Sequence, residues 1–231
     1  MDPADHVVGS ELPAATSAAQ ALFGDALELA ERYARLLAGP GIEHGHLGPR
    51  EVPRIWERHL ANSAVVTDLV PAGATVVDVG SGAGLPGLPM AIRRADLQVV
   101  LVEPMLRRSM FLEQAVVGLE LESRVQVLRG RAEDPATRLA IGDGAWVTAR
   151  AVAPLPRLLG WCLPLLGPGG RLLALKGSRA ADEVAQFHAT AQPALRASVA
   201  EIEVVQLGQE YAMPATQVIR VQRSARRRRS Q

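Results

Sequence analysis

The sequence predicts an α/β fold with a doubly wound, mostly parallel sheet. Short apolar runs rich in β-branched residues alternate along the chain with segments whose apolar residues recur at helical spacing. The first run, residues 75–79, breaks at once into the glycine-rich stretch 80–87, and a helical segment follows. With 231 residues, 48% of them hydrophobic, the chain is long enough for one large domain of this class.

Each element follows from its pattern of apolar residues and its flanking turns. Apolar residues at helical spacing predict two helices before the first strand, 20–38 and 51–69, and the turn at 39–41 separates them. The predicted strands are 75–79, 98–103, 124–129, 145–149, 171–176, and two last strands near 199–207 and 216–222 that should pair antiparallel. The predicted helices between them are 87–94, 105–121, 155–166 and 180–196. The predicted organisation is a loose N-terminus (1–19), one domain (20–222) with a helical cap (20–70), and a basic tail (223–231).

Two cofactor classes compete for the glycine-rich stretch. Residues 82–87 match the dinucleotide pattern G-x-G-x-x-G, with Glu103 about 20 residues further on. However, the match begins two residues after the strand ends, and Pro86 and Pro89 remove amide donors that a pyrophosphate would need. S-adenosylmethionine carries no phosphate, and its ammonium group suits a nearby carboxylate such as Asp78. The pattern therefore favours S-adenosylmethionine over a nicotinamide dinucleotide.

Candidate cofactor residues follow four successive strands, at the edge of the sheet where ligands bind in open α/β folds. The first strand ends in the glycine loop, whose candidate residues are Gly80, Ser81, Gly82 and Gly84. Glu103 ends the second strand, where a carboxylate can bind both hydroxyls of a ribose. Ala132 and Glu133 follow the third strand, where backbone or side chain can read an adenine edge. Arg150 follows the fourth strand and should face the reactive end of the cofactor.

Candidate RNA contacts lie in the second predicted helix and at a later strand end. Arg50, Arg54 and Arg58 recur every four residues, with His59 adjacent to the last. They form either a solvated helix face or a stripe that contacts phosphates. Lys176, the only lysine, either contacts RNA phosphate or is solvated at its strand end.

Composition excludes several classes of protein. Cys162 is the only cysteine, so an internal disulfide is impossible and a cysteine metal cluster has no ligands. The sequence contains no run of about 18 apolar residues, so no membrane span is predicted. The N-terminus lacks the pattern of a signal peptide. His44 and His46 are interpreted as solvated loop residues. We therefore expect a cytoplasmic protein without a metal site.

The run from Asp78 to Pro89 resembles the signature of the bacterial ribosomal RNA small subunit methyltransferase G family, formerly called glucose-inhibited division protein B. Its Leu-Pro-Gly segment makes this match fairly specific. Weaker matches follow the family order across residues 20–222, and they are Arg58-His-Leu-Ala-Asn-Ser63, Leu101-Val-Glu-Pro104, Arg131-Ala-Glu133, Thr148-Ala-Arg-Ala151 and Leu173-Ala-Leu-Lys-Gly177.

The resemblance implies a class I S-adenosylmethionine-dependent methyltransferase fold and methylation of a guanine N7 in 16S ribosomal RNA, near the decoding region. The implied cofactor contacts are Gly80, Leu85, Ala132, Glu133 and Arg150. The chain departs from the family pattern in Asn62-Ser63-Ala64, where Asp-Ser-Leu is usual, and in Ser109 and Met110, where a basic pattern is usual.

The chemistry expected of these residues is positioning. Guanine N7 has an in-plane lone pair, so no proton must leave before it attacks a methyl group, and Arg150 should position cofactor or substrate. The implied partner is 16S ribosomal RNA or the small ribosomal subunit, approached by a monomer. The alternatives are a methyltransferase for another RNA position or a small molecule, a nicotinamide-dependent oxidoreductase, and a non-catalytic RNA-binding protein.

The positive charge of the chain is concentrated in the basic tail. The whole chain carries +1, but residues 220–231 hold six arginines and no acid, so residues 1–219 carry −5. The tail is either a solvated terminus without a role or a source of non-specific phosphate contacts for a domain that must approach a polyanion.

Deletion of residues 223–231 is expected to raise the KM for RNA and to flatten its salt dependence, because five arginines are lost. Steady-state methylation at several salt concentrations measures both effects. Cofactor affinity and the identity of the modified base should stay the same. Equal salt slopes for the full-length and truncated proteins would show that the tail has no part in RNA binding.

Overall fold

A seven-stranded sheet forms the centre of the computed structural model, which describes residues 12–142, 146–167 and 169–224. The strands are β1 (Thr75–Val79), β2 (Gln98–Glu103), β3 (Val125–Arg129), β4 (Trp146–Arg150), β5 (Arg171–Lys176), β6 (Val199–Leu207) and β7 (Thr216–Arg223). Their order across the sheet is β3-β2-β1-β4-β5-β7-β6. The predicted strands are confirmed, and most of their bounds are correct to within one residue.

The topology confirms a doubly wound, mostly parallel sheet. Strands β1 to β5 pair in parallel, and β1 lies between β2 and β4, so the strand order reverses beside β1. The last hairpin places β7 antiparallel to both β5 and β6, as the sequence predicted. Because ligands bind at the carboxyl ends of strands next to such a reversal, the site is expected just after β1 and β4.

The helices cover both faces of the sheet. Their bounds are α1 (Ser17–Phe23), α2 (Leu27–Ala38), α3 (Pro40–Glu43), α4 (Asn62–Ala64), α5 (Gly87–Arg93), α6 (Leu106–Gly118), α7 (Pro135–Ile141), α8 (Leu155–Cys162), α9 (Ala180–Thr190) and α10 (Pro193–Ala197). The sequence analysis missed α7, which carries a proline in its first turn and ends at Gly142, where φ is +73°. The helix predicted over 180–196 is divided in two, because Pro193 begins a new helix.

The helical cap is less regular than the sequence predicted. Gly24, with φ +49°, interrupts the first predicted helix, and α1 already begins at Ser17. The helical spacing of Leu22, Ala26, Leu29, Tyr33 and Leu36 predicts one continuous buried face. The buried residues of α2 are instead Ala30, Tyr33, Ala34 and Leu37. The break at Gly24 explains this difference, since the helical spacing does not continue through it.

The second predicted helix of the cap is a series of different helical turns. It consists of a 3₁₀ segment (Pro49–Arg54), a π-helical segment (Ile55–Ala61), α4 and a second 3₁₀ segment (Val65–Leu69). The apolar side chains of Ile55, Leu60, Ala64 and Val65 predict a core-facing side of this segment, and all four are buried. Arg54 and Arg58 are exposed, whereas His59 is buried, so His59 faces the protein.

The core lies on the two faces of the sheet. On one face the cap packs with α5 and α6, and on the other α8 and α9 cover β4, β5 and β7. Within the described ranges, no helix combines the length and the apolar character needed to cross a membrane.

Candidate functional site

The glycine loop between β1 and α5 presents its backbone to an open space. Gly80, Gly82 and Gly84 have φ of +71°, +59° and +101°, a region that favours glycine. A Cβ atom on Gly80 would come within 2.9 Å of Val152, and one on Gly84 would collide with Leu88. A Cβ atom on Gly82 would meet only the Gly80 carbonyl oxygen, at 3.9 Å. Two glycines therefore allow close packing, while Gly82 leaves room for a ligand.

Asp78 holds the loop from beneath. Its carboxylate accepts hydrogen bonds from the Gly87 backbone N–H (3.0 Å) and the Thr148 hydroxyl (3.3 Å), and the side chain is fully buried. Burial raises the pKa of Asp78 to about 7, although both hydrogen bonds act in the opposite direction. The Asp78 carboxylate is not among the groups that line the cavity. Its predicted contact with a cofactor amine therefore stays a prediction, and the structure shows it holding the loop. Ser81, whose hydroxyl donates to the Asp78 carbonyl oxygen (2.9 Å), does line the cavity.

Tyr33 fastens the loop from the cap. It is fully buried in α2, and its hydroxyl donates to the Ala83 carbonyl oxygen at 2.7 Å. Burial is the main cause that raises the pKa of this phenol well above its usual value. The helical spacing of Tyr33 with its apolar neighbours predicts only that Tyr33 faces the core. Nothing in the local sequence signals a contact with a residue 50 positions away.

A cavity of about 390 Å³ opens above the loop. The predicted cofactor residues that line it are Gly80, Ser81, Gly82, Leu85, Glu103 and Arg150. The Glu103 carboxylate accepts hydrogen bonds from the backbone N–H groups of Gly82 and Met105, both at 2.9 Å. The end of β2 is thereby tied to the glycine loop at the position predicted for a ribose contact.

A smaller cavity of about 100 Å³ adjoins the first, and both are lined by Gly80, Pro104 and Val152. The predicted Ala132 and Glu133 lie in its wall. Its apolar walls come from Val79, Val102 and Trp161. Trp161 was missed by the sequence analysis, since an aromatic residue in an apolar helix is ordinarily part of the core.

His46 is a second residue that the sequence analysis missed. It lines the 390 Å³ cavity, and its ring lies 4.6 Å from that of Phe111. Burial, with the charges of His44, Arg108 and Arg107, lowers the pKa of His46. His46 is a loop residue, as interpreted, but its ring is half-buried beside the cavity instead of fully solvated.

Arg150 stands at the border between this cavity and a larger one of about 780 Å³, and residues 150–152 line both. Its guanidinium group donates to groups of the cap, among them the Ser63 hydroxyl (3.1 Å) and Nδ1 of His59 (2.9 Å). His59 was predicted to contact RNA, but it is only 6% exposed and it bonds Arg150 instead. Ala151 follows with φ +54°, which is rare for a residue with a Cβ atom.

Lys176 lines the larger cavity but is not a free cation. Its ammonium group donates to the Ala153 carbonyl oxygen (3.0 Å) and pairs with the Glu183 carboxylate (2.7 Å), and its side chain is 10% exposed. The predicted contact with an RNA phosphate is therefore replaced by a role in holding the loop after β4. Three arginines also line this cavity, Arg58 (half exposed and 3.3 Å from Glu51), Arg150 and Arg179. Its lining includes two acidic residues as well, Asp182 and Glu183. Among the described residues, no cluster of His, Cys, Asp or Glu side chains is arranged to hold a metal ion.

The strand order, the antiparallel β7 and the glycine loop after β1 define a class I methyltransferase fold. Two solved structures share it. One, a predicted O-methyltransferase from Agrobacterium tumefaciens, has a TM-score of 0.53, 15% identity, and coverage of 71% of this chain and 81% of that one. The other, the M1A22 tRNA methyltransferase TrmK of B. subtilis, has a TM-score of 0.51, 16% identity, and coverage of 74% and 67%.

Residues 26–227 match the rRNA small subunit methyltransferase G family, and the chain belongs to that family. It is 54% identical over 214 residues to the ribosomal RNA small subunit methyltransferase G of Salinispora arenicola, covering 91% of this chain and 87% of the relative. The protein of the same name from Mycolicibacterium gilvum is 50% identical over 221 residues, covering 95% of both chains. The resemblance inferred from the glycine loop is confirmed.

The open space at Gly82 predicts that Gly82→Ala weakens the binding of S-adenosylmethionine at least about tenfold, because the new methyl group points into the cavity. Calorimetric titration measures the dissociation constant. Gly73→Ala is the matched control, since Gly73 also has positive φ (+68°) and open space around it but lies outside the cavity. Both variants should lose about 1–2 kcal/mol of stability through backbone strain. Normal cofactor affinity in Gly82→Ala would contradict the assignment of the loop.

Proposed function

We propose that this protein transfers a methyl group from S-adenosylmethionine to N7 of a guanine in 16S ribosomal RNA. Membership of the rRNA small subunit methyltransferase G family supports the reaction and the substrate class. The observation that carries the proposal is the pair of cavities that meet at residues 150–152. One contains the glycine loop and Glu103, and the other is lined by arginines.

The 390 Å³ cavity and the adjoining 100 Å³ cavity are lined by residues that fit S-adenosylmethionine. Gly82 leaves the space that a ligand needs, and the Glu103 carboxylate lies where it can accept hydrogen bonds from ribose hydroxyls. The apolar 100 Å³ cavity beside Ala132 suits an adenine ring. The combined volume of the 390 Å³ and 100 Å³ cavities falls within the usual range for small-ligand sites. The proposed cofactor residues are Gly80, Ser81, Gly82, Leu85, Glu103, Ala132, Glu133 and Arg150, while Asp78 and the tightly packed Gly84 support the loop.

The 780 Å³ cavity is the proposed entrance for the RNA. Arg58, Arg150 and Arg179 line it, and Arg54 is exposed earlier in the cap segment. Arginines supply the phosphate contacts that position a nucleic acid without reading its sequence. The proposed RNA contacts are therefore Arg54 and Arg58, with Arg179 added from the structure. A domain of net negative charge can still engage a polyanion through a local group of cations, and this opening carries three arginines.

The protein groups need only to position the reactants and exclude water. When bound, S-adenosylmethionine supplies a methyl group on a positively charged sulfur. The acceptor N7 has an in-plane lone pair, so the chain does not have to remove a proton. Arg150, held between the two cavities, is the residue proposed to fix the relative position of the reactants.

The same proposal covers the protein's partner and surroundings. The relatives are named as methyltransferases of small-subunit ribosomal RNA, so we propose 16S ribosomal RNA or the small subunit as the partner. We also propose that the protein acts as a monomer in the cytoplasm.

Mapping of the methyl group tests the function. The protein is incubated with S-adenosylmethionine carrying a labelled methyl group and with small-subunit RNA or whole subunits. Digestion to nucleosides is expected to give labelled N7-methylguanosine at one position of 16S ribosomal RNA. Label in another nucleoside would contradict the N7 assignment, and absence of label from RNA and subunits would contradict the substrate class.

Arg150→Ala is expected to lower turnover on RNA at least about tenfold, the equivalent of about 1.4 kcal/mol of transition-state stabilisation. The guanidinium group borders both cavities and ties the end of β4 to the cap, so its removal leaves the place where the reactants meet less firmly fixed. Single-turnover methylation with saturating cofactor measures the effect, and thermal unfolding shows whether the fold is retained. Turnover equal to that of the wild type would show that Arg150 has no part in catalysis.

A further inference from the structure

The guanidinium group of Arg150 is held almost entirely by the segment Pro49–Leu69 of the cap. One terminal nitrogen donates to the Arg58 carbonyl oxygen (3.0 Å) and to Nδ1 of His59 (2.9 Å). The other donates to the Ser63 hydroxyl (3.1 Å) and lies 3.5 Å from the His59 carbonyl oxygen. These partners precede Arg150 by about 90 residues in sequence, so the cap determines where the group points.

The contact with Arg150 determines the tautomer of His59. An arginine can only donate hydrogen bonds, so Nδ1 of His59 must be the unprotonated acceptor. The proton of the neutral ring then lies on Nε2, which donates to the Glu51 carboxylate at 2.9 Å. Burial, followed by the charge of Arg150, lowers the pKa of His59 to about 4, so the ring is neutral at pH 7.

The surroundings of His59 make it more than a packing residue. It is buried, and it lines the cavity that contains the glycine loop, as does Arg150. Arg58 pairs with the same Glu51 oxygen and lines the larger cavity. One chain of contacts, Arg58–Glu51–His59–Arg150, therefore connects the opening for RNA with the border between the two cavities.

We propose that His59 is a positioning residue for methyl transfer, which fixes the Arg150 guanidinium at the border of the two cavities by accepting its hydrogen bond at Nδ1. The inference rests on the proposed function. Glu51 acts one step further away, since it accepts the proton of Nε2 and so keeps Nδ1 free. The structure thus assigns to the cap a part in arranging the reactants, in addition to covering the sheet.

Two substitutions separate the halves of the imidazole ring. Oδ1 of asparagine is as many bonds from the backbone as Nδ1, so His59→Asn keeps an acceptor for Arg150 and loses the donor to Glu51. Nε2 of glutamine matches the histidine Nε2, so His59→Gln keeps the donor to Glu51 and loses the acceptor. Steady-state methylation of small-subunit RNA, with RNA and cofactor both saturating, gives kcat, and calorimetry gives the affinity for S-adenosylmethionine.

We expect His59→Asn to keep kcat within about threefold of the wild type and His59→Gln to lower it at least about tenfold. Cofactor affinity and thermal unfolding should be alike in the two variants. In the double variant His59→Gln/Arg150→Ala, kcat should equal that of Arg150→Ala, because His59 acts only through Arg150. Histidine ¹⁵N NMR of the wild type at pH 7 should show the His59 proton on Nε2.

Equal kcat losses in the Asn and Gln variants, or a loss confined to Asn, would overturn the positioning role. So would a double variant whose losses add, or a proton on Nδ1. These outcomes are distinguishable from failure of the proposed function, because in that case the wild type itself would not methylate the RNA.

Discussion

The buried carboxylate of Asp78 joins the three elements on which the site depends. It belongs to β1, accepts a hydrogen bond from Thr148 of β4, and accepts another from Gly87 at the start of α5. It therefore spans the reversal of strand order and fixes the loop that must turn there. A buried carboxylate is costly, as its raised pKa of about 7 shows, and the two donors offset part of that cost. A side chain predicted to bind a ligand instead holds the backbone that the ligand would approach.

The site is built from two parts of the chain that are distant in sequence. The sheet supplies the glycine loop, Glu103 and Arg150 at its carboxyl edge. The cap reaches this edge through Tyr33, which bonds the loop, and through His59. Because these bonds tie the cap to the loop and to Arg150, loosening of the cap would shift both. The packing of the cap on the sheet thus brings positive charge together at the opening proposed for RNA. It does so although residues 1–219 as a whole are net acidic.

The sequence by itself determined the fold class, the strands and the family. Strands rich in valine and leucine between helical segments leave few topologies, since parallel strands need crossovers of one hand. The glycines after β1 are readable because their positive φ is a local requirement of the chain. Glu103 and Ala132 were readable for a related reason. A residue directly after a parallel strand must lie at the ligand edge, whatever packs around it.

Only the tertiary structure decided what the side chains of the cap and of the strand ends contact. Lys176 meets Glu183 and His59 meets Arg150, and no local pattern specifies such partners. The arginine stripe was inferred from a regular α-helical spacing, which the 3₁₀ and π-helical turns of residues 49–61 do not follow. Secondary structure is set largely by neighbours in sequence. A polar side chain turns toward the hydrogen-bond donors and acceptors that lie near it in the packed protein. Those partners come from distant parts of the sequence, so they are near it only after the chain has folded.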